Sequence, residues 1–327
     1  MRDSYLVELP VTGEGFTVSD QVRHIEVLFQ SQIIFPLQQG NIIPSEVLEI
    51  PAEIRRIPGR QSQATGILLF SAEMIPPLAA KIYKVEKGSS NIGQHRHTSE
   101  NRFQMSYDNM DNAFIVNDGI REIKLEDEFL YYKATVGIND RPEHRASGAY
   151  IFRPTGDPIP IDVLDVVQNS YLFYDEFQVN YKEDWVSKRF RIYHDDQRIE
   201  VSWTVGPIPV EDLIGKEVIT KMCHRDIRSN GTFFTDSNGR QIMERRRDER
   251  PSYEIDPDIE SVSQDYYPVT AMIGLGDEEQ EMVVLTDRAQ GGSSLEDGCI
   301  ELMLHRQKKN EFQQSYKYEL VLQEIVT

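Results

Sequence analysis

SKRFRIYH at Ser187–His194 and RIEVSWTV at Arg198–Val205, followed at once by Gly206-Pro207-Ile208-Pro209, decide the fold class. Both runs are rich in Phe, Ile, Tyr, Val and Trp and are short enough to be strands. Gly206-Pro207 and Pro209 then enforce a rigid loop where the second run ends. The same signature recurs outward in both directions at Phe129–Ala134, Gly148–Arg153, Glu281–Thr286 and Cys299–His305. Asp236-Ser237-Asn238-Gly239 is a turn signal that joins two strands into a hairpin. Gln241–Asp248 reads either as a short helical turn or as a charged strand edge. No window of a dozen residues keeps a helical period, and no repeat of fixed length is present. The chain is expected to be all-β.

Toward the N-terminus, Ser4–Leu9 alternates Tyr5, Val7 and Leu9 with other residues and is predicted to stop at Pro10. His24–Gln32, Gly66–Phe70 and Ala80–Val85 are further strand signals between Gly and Pro punctuation. Glu86–Glu100 (EKGSSNIGQHRHTSE) is polar and aperiodic, as a linker or exposed loop would be. The expected organisation is a small β-sandwich over 1–86 and a large β-sandwich over 87–327.

Charge and composition exclude several classes. With 35 Lys and Arg against 54 Asp and Glu, the net charge of −19 repels nucleic acid and anionic membrane surfaces. No run approaches the length of a membrane span, and Met1–Glu8 lacks the apolar region of a signal peptide. The two cysteines, Cys223 and Cys299, cannot build a disulfide framework or a structural zinc knuckle. They allow one bridge, but two buried free thiols are the expectation.

Candidate chemistry concentrates in a few stretches. In RASGAYIFRP (Arg145–Pro154), Gly148 and Ala149 permit close backbone approach, and Tyr150 offers a hydroxyl and a ring face, the pair that sugar sites use. From residue types alone, a strand start with a buried tyrosine is the favoured explanation. LTDRAQGGSSL (Leu285–Leu295) reads as a strand followed by a tight Gly-Gly-Ser-Ser loop, without the lysine and helix of a phosphate loop. The one cluster with metal-ligand spacing is His95-x-His97 with Glu100, in a loop that more often exposes its imidazoles. No nucleophile elbow with a Ser-His-Asp order is present.

Taken in order, SGAYIFRP (Ser147–Pro154), WTVGPIPV (Trp203–Val210), GKEVI (Gly215–Ile219), FTDSNGR (Phe234–Arg240), ERRRD (Glu244–Asp248), YYPV (Tyr266–Val269), LTDRAQGGSSLEDG (Leu285–Gly298) and ELMLHR (Glu301–Arg306) resemble the C-terminal half of glycoside hydrolase family 38. The likeness is strongest to α-mannosidases of the lysosomal type. Residues 1–85 fit the preceding small β domain more loosely, through LPV and LLFSAEMIPPLAAKIY.

This resemblance implies a galactose-mutarotase-like β super-sandwich for the large domain. It implies a retaining α-mannosidase acting on N-glycan mannosides, whose nucleophile and zinc ligands stand on N-terminal domains. This chain would then bind no cofactor itself, zinc being expected in the intact enzyme, and an N-terminal catalytic polypeptide would be its partner. Tyr150 would hydrogen-bond the mannose, and Ser147, Gly148, Gly291, Gly292 and Arg306 would support the cleft. The family's DDxRG arginine has no counterpart, because His305-Arg306-Gln307 continues into Lys308-Lys309-Asn310. Glu249 replaces the aromatic usual after ERRRD. A lysosomal or secretory route is implied, with Asn230-Gly231-Thr232 as a glycosylation sequon. The alternative expectation is an inactive carbohydrate-binding or regulatory protein derived from such an enzyme.

Overall fold

A computed structural model describes residues 4–13, 16–21, 42–57, 59–73, 75, 81–87, 104–117, 119–141, 144–148, 151–194, 198–209, 211–250, 252, 254, 261–307 and 322–326. Two compact units divide them: Met1–Thr98 with Ser170–Tyr174, and Ser99–Asn169 with Asp175–Thr327. His24–Gln32, the His95, His97 and Glu100 cluster, Tyr150 and Lys308–Asn310 lie outside the described residues.

In the first unit, β1 (Ser4–Val11), β5 (Gly66–Glu73) and β4 (Ser45–Glu49) form one antiparallel sheet in the order β1-β5-β4. β2 (Phe16–Gln21), β3 (Ile42–Ile43) and β6 (Ile82–Lys87) form another, and a single helical turn, α1 (Ala52–Arg55), follows β4. Val11, Phe16, Val18, Leu68 and Phe70 make their core, as alternating inward residues should. Contrary to expectation, Pro10 does not end β1; it pairs with Ile67. As an edge strand β1 has one side without a neighbour in its sheet, and there a missing N–H costs little.

The second unit holds three sheets among the described residues. The largest contains β7 (Gln104–Asp108), β8 (Ala113–Asn117), β9 (Glu122–Lys133), β10 (Ile159–Pro160), β15 (Lys216–Cys223), β18 (Tyr267–Val269), β21 (Gln290–Ser293) and β22 (Cys299–Gln307). Its order is β18-β21-β22-β15-β9-β8-β7, with β10 paired to β9. A second sheet joins β11 (Val163–Ser170), β12 (Tyr174–Tyr181), β13 (Val186–Tyr193), β14 (Ile199–Val205) and β23 (Leu322–Val326) in chain order. The third sheet runs β17 (Gln241–Arg246), β16 (Thr232–Ser237), β19 (Met272–Gly276), β20 (Glu281–Leu285). The architecture is all-β and sandwich-like, as expected.

One large core fills this unit, with Phe114, Phe129, Phe177, Phe190, Trp203 and Leu302 among its members. Across it, Lys188 Nζ of β13 reaches Asp127 at 2.7 Å and the Thr220 hydroxyl at 2.7 Å, and lies 3.9 Å from the centre of the Phe129 ring. Burial pushes the Asp127 carboxyl up and the Lys188 ammonium down, and each one's charge works against the shift of the other.

The hairpin forms where the turn signal placed it: Asn238 and Gly239 have φ of 59° and 67°, and Arg240 N–H donates to the Ser237 carbonyl. Gln241–Asp248 is resolved in favour of a strand over Gln241–Arg246, which pairs with β16 throughout, and a turn at Arg247-Asp248. Two further expectations fail. Gly291-Gly292-Ser293 is not a loop but lies in β21, held between β18 and β22, because glycines allow those neighbours to come close. Gly148–Arg153 is not a strand in its described residues, because Ser147 and Gly148 capture the backbone groups in a turn.

Candidate functional site

The central strand β15 (KEVITKMC) is buried from end to end, although half of its residues are polar. Strand alternation explains this. Val218, Thr220 and Met222 face the large core, whereas Glu217, Ile219, Lys221 and Cys223 face the other side. Pairing to β9 and β22 extends that second face into rows. Tyr132, Glu217 and Arg306 stand in the first row, and Leu130, Ile219 and Met303 in the next. Glu128, Lys221 and Glu301 form the third, and Glu126, Cys223 and Cys299 the last.

A bulge makes this arrangement. The β15–β22 register shifts between Val218 and Ile219, so that Leu304 is the extra residue. Arg306 and Glu301 are an odd number of positions apart and would face opposite ways in a regular strand. The bulge puts both on the face of Glu217 and Lys221.

The first two rows carry the polar loop that contains the SGAY stretch. Arg306 donates from Nε to the Glu217 carboxylate and from Nη1 to the Gly148 carbonyl at 3.0 Å. Gly148 N–H donates to the Ile151 carbonyl at 2.9 Å, and Ile151 N–H returns to the Gly148 carbonyl at 3.3 Å. Ser147 N–H donates to the Thr135 carbonyl at 2.9 Å, and Arg153 N–H to the Ser147 hydroxyl at 3.1 Å. Phe152 closes the far end: its ring lies edge-on to Tyr132 at 5.6 Å and to Tyr266 at 5.2 Å, with the Arg306 guanidinium 5.5 Å from its centre. A pocket lined by Tyr132, Ser147, Phe152, Lys216, Glu217 and Arg306 opens here.

Beneath it lies a buried carboxylate. Glu301 Oε2 accepts the Tyr266 hydroxyl at 2.8 Å and the Tyr132 hydroxyl at 3.1 Å. Burial pushes Glu301 up, against the two hydroxyls and Lys221, which favour its charge. Both phenols are also pushed up, by burial first and then by the charge of Glu301. Glu301 thus holds the two rings between which Phe152 packs. Next to Tyr266, Asp265 is 1% exposed and burial pushes its carboxyl up to about 6, although it accepts the Asp248 N–H at 3.0 Å.

The residues expected to support a cleft divide. Ser147, Gly148 and Arg306 meet at the loop. Gly291 borders the same cluster: a methyl there would meet Met303 Sδ at 2.7 Å and Tyr266 Cδ1 at 3.5 Å. Gly292 faces the core instead, against Val269, Ile273 and Leu302. Tyr150, between Gly148 and Ile151, lies outside the described residues. Residue-by-residue reading missed Glu217, Glu301, Tyr132, Tyr266 and Phe152. Four of these five were in quoted stretches, but only the pairing of distant strands reveals that they converge. Among the described residues, no three His, Cys, Asp or Glu side chains converge as a metal ion requires.

Cys223 and Cys299 correct another expectation. They are not free thiols but a disulfide, 76 positions apart in sequence and 4.1 Å apart at Cα. Antiparallel pairing of β15 with β22 sets them directly opposite one another on one face. Nearby, Asn230 is exposed in a turn with φ 50°, just before β16. No helix of the described residues is long and apolar enough to cross a membrane.

Comparison with known proteins places these features in a wider setting. Residues 112–311 match the model of the glycosyl hydrolases family 38 C-terminal domain. The lysosomal alpha-mannosidase of Homo sapiens is 42% identical over 326 residues, covering 93% of this chain and 29% of the relative. That of Cavia porcellus is 35% identical over 82% of this chain and 27% of the relative. An alpha-mannosidase of Arabidopsis thaliana is 32% identical over 94% of this chain and 30% of the relative. The chain therefore spans less than a third of the length of these relatives. An alpha-mannosidase from Enterococcus faecalis V583 shares the fold, with a TM-score of 0.55 at 10% identity over 99% of this chain and 41% of that one.

Proposed function

This chain belongs to glycoside hydrolase family 38, and we propose that it is the C-terminal β region of a retaining α-mannosidase of the lysosomal type, acting on α-mannosides of N-glycans. In such an enzyme one carboxylate attacks the anomeric carbon while a second acid protonates the departing oxygen. In this reading both groups, and any zinc, belong to a preceding catalytic region, which the greater length of the relatives supports.

The share of this chain is to present Tyr150 to the mannose and to form the wall behind it. The observation that carries the reading is the pair of hydrogen bonds that Arg306 donates, one to the Glu217 carboxylate and one to the Gly148 carbonyl. It joins three of the stretches that resemble the family, SGAY, GKE and LHR, at Gly148, two positions before Tyr150 in the sequence. A tyrosine hydroxyl there would donate to or accept from a sugar hydroxyl, and its ring would cover an apolar sugar face. The Cys223–Cys299 disulfide and the exposed Asn230 sequon support a secretory or lysosomal route, since bridges persist in oxidising compartments.

The test uses a chromogenic α-mannoside. The purified 327-residue chain is expected to release nothing by itself. Co-expression with the catalytic region of a family relative is expected to restore cleavage, with a higher KM for Tyr150→Phe. Mannoside binding by the chain, with no activity under any pairing, would support the inactive carbohydrate-binding alternative. Cleavage by the chain alone, contaminants excluded, would overturn the proposal.

A further inference from the structure

We infer that Glu217 is a positioning residue: acting through Arg306, it fixes the backbone at Gly148, two positions before Tyr150 in the sequence. The inference rests on the mannosidase reading only for what Tyr150 would touch. Glu217 and Arg306 expose 8% and 22% of their side chains, so their ion pair is largely withdrawn from water. A guanidinium can use two nitrogens of one planar fork at once. Here Nε is taken by Glu217, which turns Nη1 toward the Gly148 carbonyl across 158 positions of sequence. The same guanidinium lies 5.5 Å from the Phe152 ring centre. One arginine, aimed by one carboxylate, therefore contacts the chain at both Gly148 and Phe152.

Removing the Glu217 charge leaves Arg306 without its aiming contact, so the guanidinium can turn to solvent. Among the described residues, the Gly148 carbonyl then keeps the 3.3 Å bond from Ile151 N–H. The chain elsewhere keeps its contacts, since Glu217 stands at the end of its strand next to Lys216, and the core face of β15 is untouched.

Hydrogen exchange on the 327-residue chain reads this directly. In Glu217→Gln, amides of a peptide spanning residues 144–155 are expected to exchange about tenfold faster, with the large core unchanged. Arg306→Gln should do the same, the double variant should add nothing further, and Glu217→Asp, which keeps the charge, should restore much of the protection. Arg306→Lys should fail to restore it, because an ammonium has no fork. In the enzyme reconstituted with a catalytic region, Glu217→Gln should raise KM for an α-mannoside about tenfold while kcat moves little. Wild-type exchange in both single variants overturns the inference, as does faster exchange spread over the whole sandwich. Local loosening with an unchanged KM overturns the positioning role. If no pairing yields turnover, the mannosidase reading falls, and exchange still decides whether Glu217 aims Arg306.

Discussion

Arg306 and Gly148 are separated by 158 positions, yet the guanidinium of one donates to the carbonyl of the other at 3.0 Å. The bond ties a strand of the largest sheet to an irregular loop, and it exists because a bulge in β22 turns Arg306 toward Glu217. Whatever that loop binds, its backbone is set by a strand irregularity far away in sequence.

The staple across the last row is open to chemical test. Material folded under oxidising conditions should show no thiol reacting with Ellman's reagent, even in denaturant, until it is reduced. Cys223→Ser with Cys299→Ser should lower stability to urea by about 2–4 kcal/mol, a range typical of a disulfide that closes a long loop. Free thiols in the oxidised, unfolded chain would contradict the pairing.

The two glycines of β21 should respond differently to alanine. At Gly291 the added methyl meets the flexible end of Met303, which can move, and the cost should be small. At Gly292 it meets Val269 Cγ2 at 2.6 Å, Ile273 Cδ1 at 3.0 Å and Leu302 Cδ2 at 3.2 Å, all in the core. Overpacking of this kind costs about 1–3 kcal/mol. Urea midpoints of Gly291→Ala and Gly292→Ala should therefore rank in that order, and equal values would refute the packing argument.

Asp265 should make the protein more stable as the medium becomes acidic. Its folded carboxyl titrates at about 6, whereas an unfolded aspartate does so near 3.9. The folded state binds that proton more tightly. This contribution is complete below the unfolded value and is lost as pH rises through about 6. Relative to Asp265→Asn, the native protein should gain about 2–3 kcal/mol between pH 7.5 and pH 4, measured by urea unfolding. A difference that stays flat with pH would exclude the shift.

Asp236 should act in the opposite sense. Burial alone would raise it, but N–H groups of Ala271, Met272, Gly239 and Thr270 bring its carboxyl down to about 2. Its stabilising charge is complete above the unfolded value and is lost as pH falls through about 2. Asp236→Asn should cost about 2–3 kcal/mol at pH 7, and the gap to wild type should narrow below pH 4. Failure of the two unfolding curves to converge in acid would argue against those four bonds.

The fold class was legible because strands announce themselves locally. Short runs such as SKRFRIYH and RIEVSWTV, a Gly206-Pro207 stop and the Asn238-Gly239 turn need no distant information to be read. Their order along the chain also carried the family resemblance. Misreadings occurred where a tertiary contact overruled local chemistry. Gly291-Gly292-Ser293 looks like a loop in isolation, but strands on both sides make it a strand. Pro10 looks like a stop, but an edge position tolerates it.

The sequence by itself determined that this chain is all-β and which family its ordered motifs resemble, because periodicity, turn residues and motif order are properties of neighbours along the chain. It did not disclose the Cys223–Cys299 bridge, the two hydroxyls on Glu301, or the grip of Arg306 on Gly148. Those depend on which strands lie side by side and in what register. In ELMLHR, simple alternation sends Arg306 to the face opposite Glu301. Only the paired sheet, with its single extra residue at Leu304, places both on the face where Tyr132, Tyr266, Phe152 and Glu217 meet.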